Sequence, residues 1–267
     1  MAIGFDNIQR NSRIGEESDR QLSGLWILIY LLPIICLIIS VGYTFVSVLS
    51  IISANESFTL TNDFIYTDFV TEFVFLWFLF FLTLGINFVI QMVFAYLLVK
   101  RYNMHITRQH FLSENIISKI HSLAEKKGVD GEASLVSIKK TGMDANEKEP
   151  KKDPVLWAVL SAFIPFVSWY VYYFLMKDFY SHEHREDGYW DSLKSVLKNL
   201  GVDFSVPSRI GVIPNRSFPL YLMLTIATVG LFGIYWVYIL LKDPNEHFKY
   251  HVQVEKQLFG TLESAIN

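Results

Sequence analysis

Four long stretches of the chain contain no charged residue and no histidine. Each is longer than the roughly 20 residues that a helix needs to cross the hydrocarbon core of a bilayer. The pattern therefore predicts an all-α, polytopic integral membrane protein with about four membrane-embedded helical segments. The stretches cover residues 25–52, 73–99, 155–176 and 218–241.

Basic residues between these stretches indicate which side of the membrane each segment faces, since Lys and Arg mark the cytoplasmic side. The first 24 residues contain Arg10, Arg13 and Arg20, and the segment 100–153 contains eleven Lys and Arg residues. The loop 53–72 contains neither, but it has four acidic residues. We therefore expect a multi-pass protein of the cell membrane with a cytoplasmic N-terminus and an external first loop.

A segment of 29 residues occurs twice in the second half of the chain. Residues 154–182 recur at 219–247, with a constant offset of 65 residues. Both copies are apolar, have a helix-weakening residue near the middle, and end in aromatic residues followed by Lys and Asp. The pattern predicts a tandem-duplicated membrane module. The matching positions are Pro154 and Pro219, Tyr170 and Tyr235, Tyr173 and Tyr238, Lys177 and Lys242, Asp178 and Asp243, and His182 and His247.

The two copies allow two topologies. If each copy spans the membrane once, the matching Lys-Asp ends lie on opposite sides. If each copy bends at Pro165 or at Gly230 and Gly233 into two half-helices, both ends lie on the cytoplasmic face. A bend inside lipid must be covered by protein that satisfies its backbone groups, whereas Pro or Gly within a span often only kinks the helix. Both topologies stay open at this point.

Residues 228–236 of the second copy read TVGLFGIYW. This segment, with the Lys-Asp pair that follows it, resembles a recurring module of prokaryotic membrane proteins that has a Thr-x-Gly-x-x-Gly-x-Tyr-Trp core and no known function. The resemblance is confined to the second copy, because the first copy has Pro165 and Ser168 at the two glycine positions. It implies a small integral membrane protein and supplies no activity, substrate or catalytic residue.

The polar segments divide the chain into five parts. A helix over 102–127 is predicted to continue out of the second stretch, because apolar residues follow one side at helical spacing. Two amphipathic helices are predicted at 189–200 and after residue 247. The parts are a cytoplasmic N-terminal segment (1–24), a two-span transmembrane hairpin (25–99), a cytoplasmic helical extension (100–140), a linker (141–153) and the duplicated membrane module (154–267).

Polar residues form one stripe on each of the first two stretches. They recur at intervals of three or four residues, so a helix presents them on a single face. Because an amide or hydroxyl in hydrocarbon is costly unless it is hydrogen-bonded, we expect hydrogen bonds between helices. A path for a substrate or ion is the alternative. The stripe residues are Ser40, Thr44 and Ser47 in the first stretch and Thr83, Asn87 and Gln91 in the second.

Histidines follow both Lys-Asp ends of the duplicated module. His247 and His251 are one helical turn apart, and the spacing of His182 and His184 suits an extended segment. Pairs at such spacings bind zinc or another borderline metal, and in the bent topology all four meet on one face. The alternative is that these histidines contact solvent or lipid headgroups. The remaining three are interpreted as helix-surface residues: His105, His110 and His121.

Composition narrows the function classes. The net charge of −3 is not the strongly basic balance that would point to nucleic acid, and the single cysteine, Cys36, excludes a disulfide framework within one chain. No ionisable residue lies deep inside a charge-free stretch, which argues against proton relays and voltage sensors.

Three functions remain. The sequence favours a non-enzymatic membrane protein without a cofactor, either an accessory subunit or a self-associating scaffold of a membrane complex. Its partners would be the lipid bilayer and either further copies of the chain (a homo-oligomer) or other membrane subunits. The alternative is a channel or transporter-like protein. The third hypothesis is a metal-dependent membrane enzyme that uses the four histidines.

Overall fold

The computed structural model describes residues 14–15, 17–57, 62–129, 132–164 and 166–266. Across these residues the secondary structure is entirely helical, as the sequence predicts. The helices of ten residues or more are α1 (Leu25–Ser57), α2 (Asn62–Lys127), α3 (Glu132–Lys148), α4 (Pro154–Phe163), α5 (Val167–Asn199), α6 (Phe218–Ala227) and α7 (Leu231–Ile266).

Among the described helices, α1 and α2 are long and apolar enough to cross a membrane. The candidate spans are Leu25–Ser50 and the apolar first part of Val70–Lys127, and α4 and α6 are shorter apolar helices. α1 and α2 pack against each other, with the ring centroids of Tyr43 and Phe75 4.9 Å apart. Their outer faces are a nearly continuous apolar surface, which requires lipid or protein to cover it.

α2 is a single helix of 66 residues. At 1.5 Å per residue it is about 100 Å long, several times the roughly 30 Å of a hydrocarbon core. Its second half therefore extends beyond any bilayer that its first half crosses. This confirms the helix that the sequence predicted to continue out of the second stretch. Along its length α2 packs against α1, α3, α4 and α5.

Each copy of the repeated segment consists of two helices that fold back on each other. In the first copy, Trp157 of α4 packs against Phe174 of α5 with ring centroids 5.2 Å apart. In the second copy, Tyr221 of α6 packs against Trp236 of α7 at 5.5 Å. The bounds of α6 and the start of α7 lie 64 residues after the bounds of α4 and the start of α5. Pro165, the bend residue expected in the first copy, lies outside the described residues. Each of the two segments therefore bends into two helices.

Residues 228–230 form the bend between α6 and α7. Gly230 has a φ of 91°, a conformation that residues with a Cβ rarely adopt, and Val229 before it has a φ of 51°. The Thr228 hydroxyl accepts a hydrogen bond from the backbone N–H of Phe232 at 2.9 Å and so caps the start of α7. The threonine and the first glycine of the Thr-x-Gly-x-x-Gly segment thus have a local structural role.

The segment predicted as a linker, 141–153, is helical up to Lys148, because it forms the second half of α3. α3 packs on its neighbours through Leu135 and Ile138, which are buried. Directly after the helix, Glu149 is also buried, and its Oε1 lies 2.7 Å from Arg185 Nη2. Contacts with distant parts of the chain fix the position of this polar segment. Its local composition could not predict those contacts.

Buried apolar side chains form two clusters along the bundle. The first includes Tyr102 of α2 and Trp236 of α7, and the second includes Ile116 of α2, Trp190 of α5 and Leu258 of α7. The amphipathic helices predicted at 189–200 and after 247 are the ends of α5 and α7, and their apolar faces pack into the second cluster. The junction of the two clusters contains a group of buried histidines.

Candidate metal centre

Four buried histidines bring their imidazole nitrogens together where α2, α5 and α7 meet. His105 Nε2 lies 3.1 Å from His182 Nε2 and 3.2 Å from His247 Nε2. His251 Nε2 lies 3.1 Å from His247 Nε2. One nitrogen of each ring belongs to a group in which all atoms lie within 4.8 Å of one another. The four residues are at most 5% exposed.

Helix geometry and aromatic packing orient these rings. His247 and His251 are one turn apart in α7, so both project from the same face of the helix. Phe248, between them in sequence, packs on His105 with ring centroids 4.6 Å apart. Phe179 of α5 lies beside the same imidazole, at 6.4 Å. The two phenylalanines thus place apolar surface against His105.

A buried carboxylate lies next to Nδ1 of three of the rings. Because an ionised carboxylate only accepts hydrogen bonds, each of these Nδ1 atoms carries the proton, and Nε2 of the neutral ring presents a lone pair. Three lone pairs therefore converge. Carboxylates that orient histidines in this way are typical of protein metal sites. The contacts are His105 Nδ1 to Asp19 Oδ1 (2.9 Å), His182 Nδ1 to Glu149 Oε1 (2.9 Å) and His247 Nδ1 to Glu183 Oε2 (3.2 Å).

The fourth ring has different partners. His251 Nδ1 lies 2.6 Å from Gln109 Nε2 and 3.6 Å from Glu255 Oε1. Its Nε2 lies 2.6 Å from Glu186 Oε1, an oxygen that has no hydrogen bond of suitable geometry within the described residues. The other oxygen, Glu186 Oε2, is 3.7 Å from His247 Nε2. Glu186 therefore lies among the imidazole nitrogens, where a metal ion would have a carboxylate oxygen within reach.

Three arginines balance the carboxylates around the histidines. A buried carboxylate without a partner is costly, so these pairs allow the acidic groups to stay ionised in the interior. Arg209 Nη2, for example, lies 3.0 Å from Glu186 Oε2. The pairs are Arg108 with Asp19 and Glu255, Arg185 with Glu149, and Arg209 with Glu183 and Glu186.

Burial and these charges decide where a proton resides. Burial lowers the pKa of His247 well below its usual value, and the neighbouring histidines lower it further. Burial also lowers the pKa of His251, but the Glu186 carboxylate outweighs it and raises that pKa to about 9. Burial raises the pKa of Glu186, yet its interactions with His251 and with the Arg209 guanidinium help to bring it down to about 2. Among these groups, His251 has a raised pKa and Glu186 is the carboxylate that causes it.

The separations suit a single metal ion. Metal–imidazole bonds of about 2.0–2.1 Å place neighbouring nitrogens roughly 2.9 Å apart in a square or octahedral arrangement and roughly 3.4 Å apart in a tetrahedron. The observed separations of 3.1 and 3.2 Å lie between these values. Imidazole is a common ligand of zinc, copper, iron and nickel. The donor set therefore fits a first-row transition metal.

Three of the four histidines that the sequence singled out for metal binding lie in this cluster, and one does not. His182, His247 and His251 belong to it, whereas His184 is exposed and packs on Tyr180 with ring centroids 4.4 Å apart. The segment is helical rather than extended, so residues two positions apart face nearly opposite directions.

The interpretation of His105 as a helix-surface residue is wrong, because His105 is 0% exposed and lies at the centre of the cluster. The sequence contains one signal for it. Arg101, His105 and Arg108 recur at helical spacing along α2, and such a polar row beside apolar residues is compatible with a buried polar site. The side chains of the other two histidines on this helix are 20% exposed (His110) and 45% exposed (His121).

The predicted polar stripes form hydrogen bonds of two kinds. Gln91 bonds between helices, since its Nε2 donates to the Tyr30 hydroxyl of α1 at 3.3 Å and its Oε1 accepts from the Tyr172 hydroxyl of α5 at 3.2 Å. Ser47 and Asn87 are half-buried on the same faces. The remaining stripe hydroxyls donate to carbonyl oxygens of their own helix: Ser40 to Cys36, Thr44 to Ser40 and Thr83 to Leu79.

Comparison of the chain with protein-family models, with curated proteins and with solved structures found no match. The resemblance of residues 228–236 to a recurring membrane module stays a prediction.

Proposed function

We propose that this protein is an integral membrane protein that binds one divalent transition-metal ion at the cytoplasmic boundary of the membrane. The ligands are four histidines: His105, His182, His247 and His251. The observation that carries the proposal is the convergence of three imidazole lone pairs at separations of 3.1 and 3.2 Å. Lone pairs at this distance repel one another, and a cation between them replaces the repulsion with coordination.

The proposed membrane placement rests on the apolar lengths of α1 and α2 and on the distribution of basic residues. α1 and the first part of α2 cross the bilayer. The two helical hairpins, α4–α5 and α6–α7, derive from one duplicated unit and re-enter the membrane from the cytoplasmic side. α2 covers the first bend, since Phe88 and Phe163 lie 4.9 Å apart. The metal ligands follow the apolar stretches and so lie at the cytoplasmic surface.

The donor set favours particular metals. Four imidazoles with one nearby carboxylate suit zinc, iron or copper, whereas magnesium and calcium prefer oxygen ligands. Of the three functions that the sequence left open, the metal-dependent membrane enzyme is the one that this site supports. Metal would supply Lewis-acid or redox chemistry there, and Glu186 is the carboxylate placed to hold or transfer a proton.

The proposal is tested by metal analysis of the full-length protein purified in detergent. We expect about one transition-metal ion per chain after mild purification. His105→Ala and His182→Ala should each weaken metal affinity by more than about 100-fold, beyond the 10–100-fold effect that is usual for residues that only orient a ligand. Elemental mass spectrometry gives the metal content, and titration against a chelator of known affinity gives the dissociation constant.

His184→Ala is the matched control, because His184 lies on the same helix two residues from His182 and is exposed. This variant should keep its metal. Circular dichroism and thermal unfolding of each variant distinguish loss of a ligand from loss of the fold. Folded His105→Ala and His182→Ala proteins that retain the wild-type metal content and affinity would contradict the proposal.

The scaffold and channel hypotheses stay predictions. The exposed outer faces of α1 and α2 provide surface for association with a second copy or another subunit, and lipid covers such faces equally well. Gln91, one of the residues suggested for a transport path, has its amide occupied by hydrogen bonds to Tyr30 and Tyr172.

A further inference from the structure

A cavity of about 240 Å³ adjoins the histidine cluster between α2, α3 and α5. We call this cavity the chamber. Its inner end is formed by His182, one of the proposed ligands, and by Glu149 and Glu186. The volume corresponds to about eight water molecules in the liquid, which is enough for a small organic molecule.

The wall of the chamber is mainly apolar. It includes Leu112, Ile116 and Ile117 of α2 and Met143 of α3. Trp190 of α5 also lines it, and the indole N–H of this residue, which is 2% exposed, has no acceptor within the described residues. A buried donor without a partner is destabilising, and a ligand acceptor removes that cost. The chamber therefore combines apolar surface with an unsatisfied hydrogen-bond donor.

Exposed side chains mark the mouth of the chamber. Lys139 and Glu114 line it and lie at the surface, and Met143 is 73% exposed. All three belong to the parts of α2 and α3 that extend beyond the proposed membrane segments. A ligand therefore enters from the aqueous phase rather than from the lipid.

The charges at the inner end define the ligand. Five carboxylates surround the histidines (Asp19, Glu149, Glu183, Glu186 and Glu255), and four arginines lie among them (Arg101, Arg108, Arg185 and Arg209). A divalent ion bound by neutral imidazoles then leaves one excess positive charge, which a single anionic oxygen ligand neutralises.

We propose that the chamber is the substrate site of the metal centre and binds a small, mostly apolar carboxylate whose carboxylate group coordinates the metal. The proposal rests on the proposed metal centre. The apolar wall holds the carbon chain, and the Trp190 N–H supplies a donor for an oxygen of the ligand. Glu186 lies next to both the proposed metal ligands and the chamber.

The test uses the full-length protein loaded with cobalt(II), whose visible absorption responds to changes in the metal's ligands. Azide reports whether the metal has an open coordination position, and butyrate reports whether the chamber accepts a carboxylate with a carbon chain. We expect both anions to change the spectrum with saturation. Ile117→Trp, which fills the chamber, should weaken butyrate binding at least about tenfold, equivalent to about 1.4 kcal/mol, and leave azide binding within about threefold.

Met143→Trp narrows the mouth at an exposed position and replaces Ile117→Trp if that variant does not fold. It should likewise weaken butyrate binding and leave azide binding nearly unchanged. Val136→Trp is the control, because Val136 is 61% exposed on the same helix and does not line the chamber. Cobalt-loaded protein that responds to neither anion, or only to azide, would overturn the proposal. Butyrate binding that is unchanged in the chamber variants would overturn it as well. Failure to bind cobalt would instead contradict the metal centre itself.

Discussion

Asp19 shows how one residue can determine the state of a ligand that is distant in sequence. Its Oδ1 accepts from His105 Nδ1 at 2.9 Å, and its Oδ2 binds Arg108. The histidine partner and the arginine keep the pKa of Asp19 below its usual value although burial raises it. The carboxylate therefore stays ionised, fixes the proton on Nδ1 and leaves Nε2 of His105 free for a metal.

Asp19→Asn is expected to weaken metal binding by about 10–100-fold, the usual effect of losing a carboxylate that orients a metal-bound histidine. The amide has a single acceptor oxygen, because an NH₂ group replaces the other oxygen. It therefore cannot accept hydrogen bonds from both His105 and Arg108 as the carboxylate does. Chelator competition measures the affinity. Asp144→Asn, at a half-exposed position in α3, should leave it unchanged. Equal affinities of the Asp19→Asn variant and wild type would show that Asp19 does not orient His105.

At the scale of helices, the charge-free stretches and the helical spacing of apolar residues were sufficient to predict the all-helical class and the continuation of α2 beyond its apolar part. The direction of the chain after each bend could not be predicted, because hydropathy reports how apolar a segment is and not whether it returns to the side from which it came. The helical state of residues 141–148 was also hidden, since it depends on contacts of Glu149 with His182 and Arg185.

The candidate site was predictable only in part, for a related reason. His247 and His251 are one turn apart and could be recognised as a pair in the sequence. His105 and Asp19 contact residues that are far away along the chain, so no local spacing connects them with the other ligands. His184 was included because the segment was considered extended rather than helical.

The bend between α6 and α7 allows a test in which substitutions at two neighbouring residues should change the stability of the protein in different directions. Gly230→Ala should destabilise the protein by about 1–3 kcal/mol, because φ is 91° there. Val229→Gly should stabilise it or leave it unchanged, because Val229 has a φ of 51°, a conformation that costs residues with a Cβ about 1–2 kcal/mol. Thermal unfolding in detergent measures both effects.

Gly85→Ala in the middle of α2 is the matched control for the glycine. An added Cβ at Gly85 meets nothing within 4 Å, and alanine is the better helix former by about 1 kcal/mol, so this variant should be at least as stable as wild type. Loss of stability at Gly85 equal to that at Gly230 would show that the positive φ is not the cause.

For the whole molecule, the histidine cluster joins four separate parts of the chain. The N-terminal segment contributes Asp19, α2 contributes His105, α5 contributes His182, and α7 contributes His247 and His251. A metal ion bound there would contact all of these helices, and this arrangement of ligands exists only in the folded protein. Its binding free energy is therefore added to the free energy of unfolding.

Removal of the metal should lower the melting temperature. At a free metal concentration about 1,000 times the dissociation constant, the bound ion stabilises the fold by about 4 kcal/mol, and a strong chelator abolishes this contribution. Thermal unfolding with and without chelator, followed by re-addition of zinc, measures the effect. The His182→Ala variant should no longer respond to chelator, whereas His184→Ala should respond like wild type. An unchanged melting temperature after proven metal removal would contradict this prediction.

The uninterrupted length of α2 has a mechanical consequence. Gln91, bonded among three helices in the proposed bilayer, and His105, at the centre of the nitrogen cluster, are about 21 Å apart on one rod without a proline or a break between them. Because no hinge separates these two points, a rotation of the rod in the lipid turns His105 through the same angle. The bilayer-facing surface and the coordination geometry are thus rigidly linked.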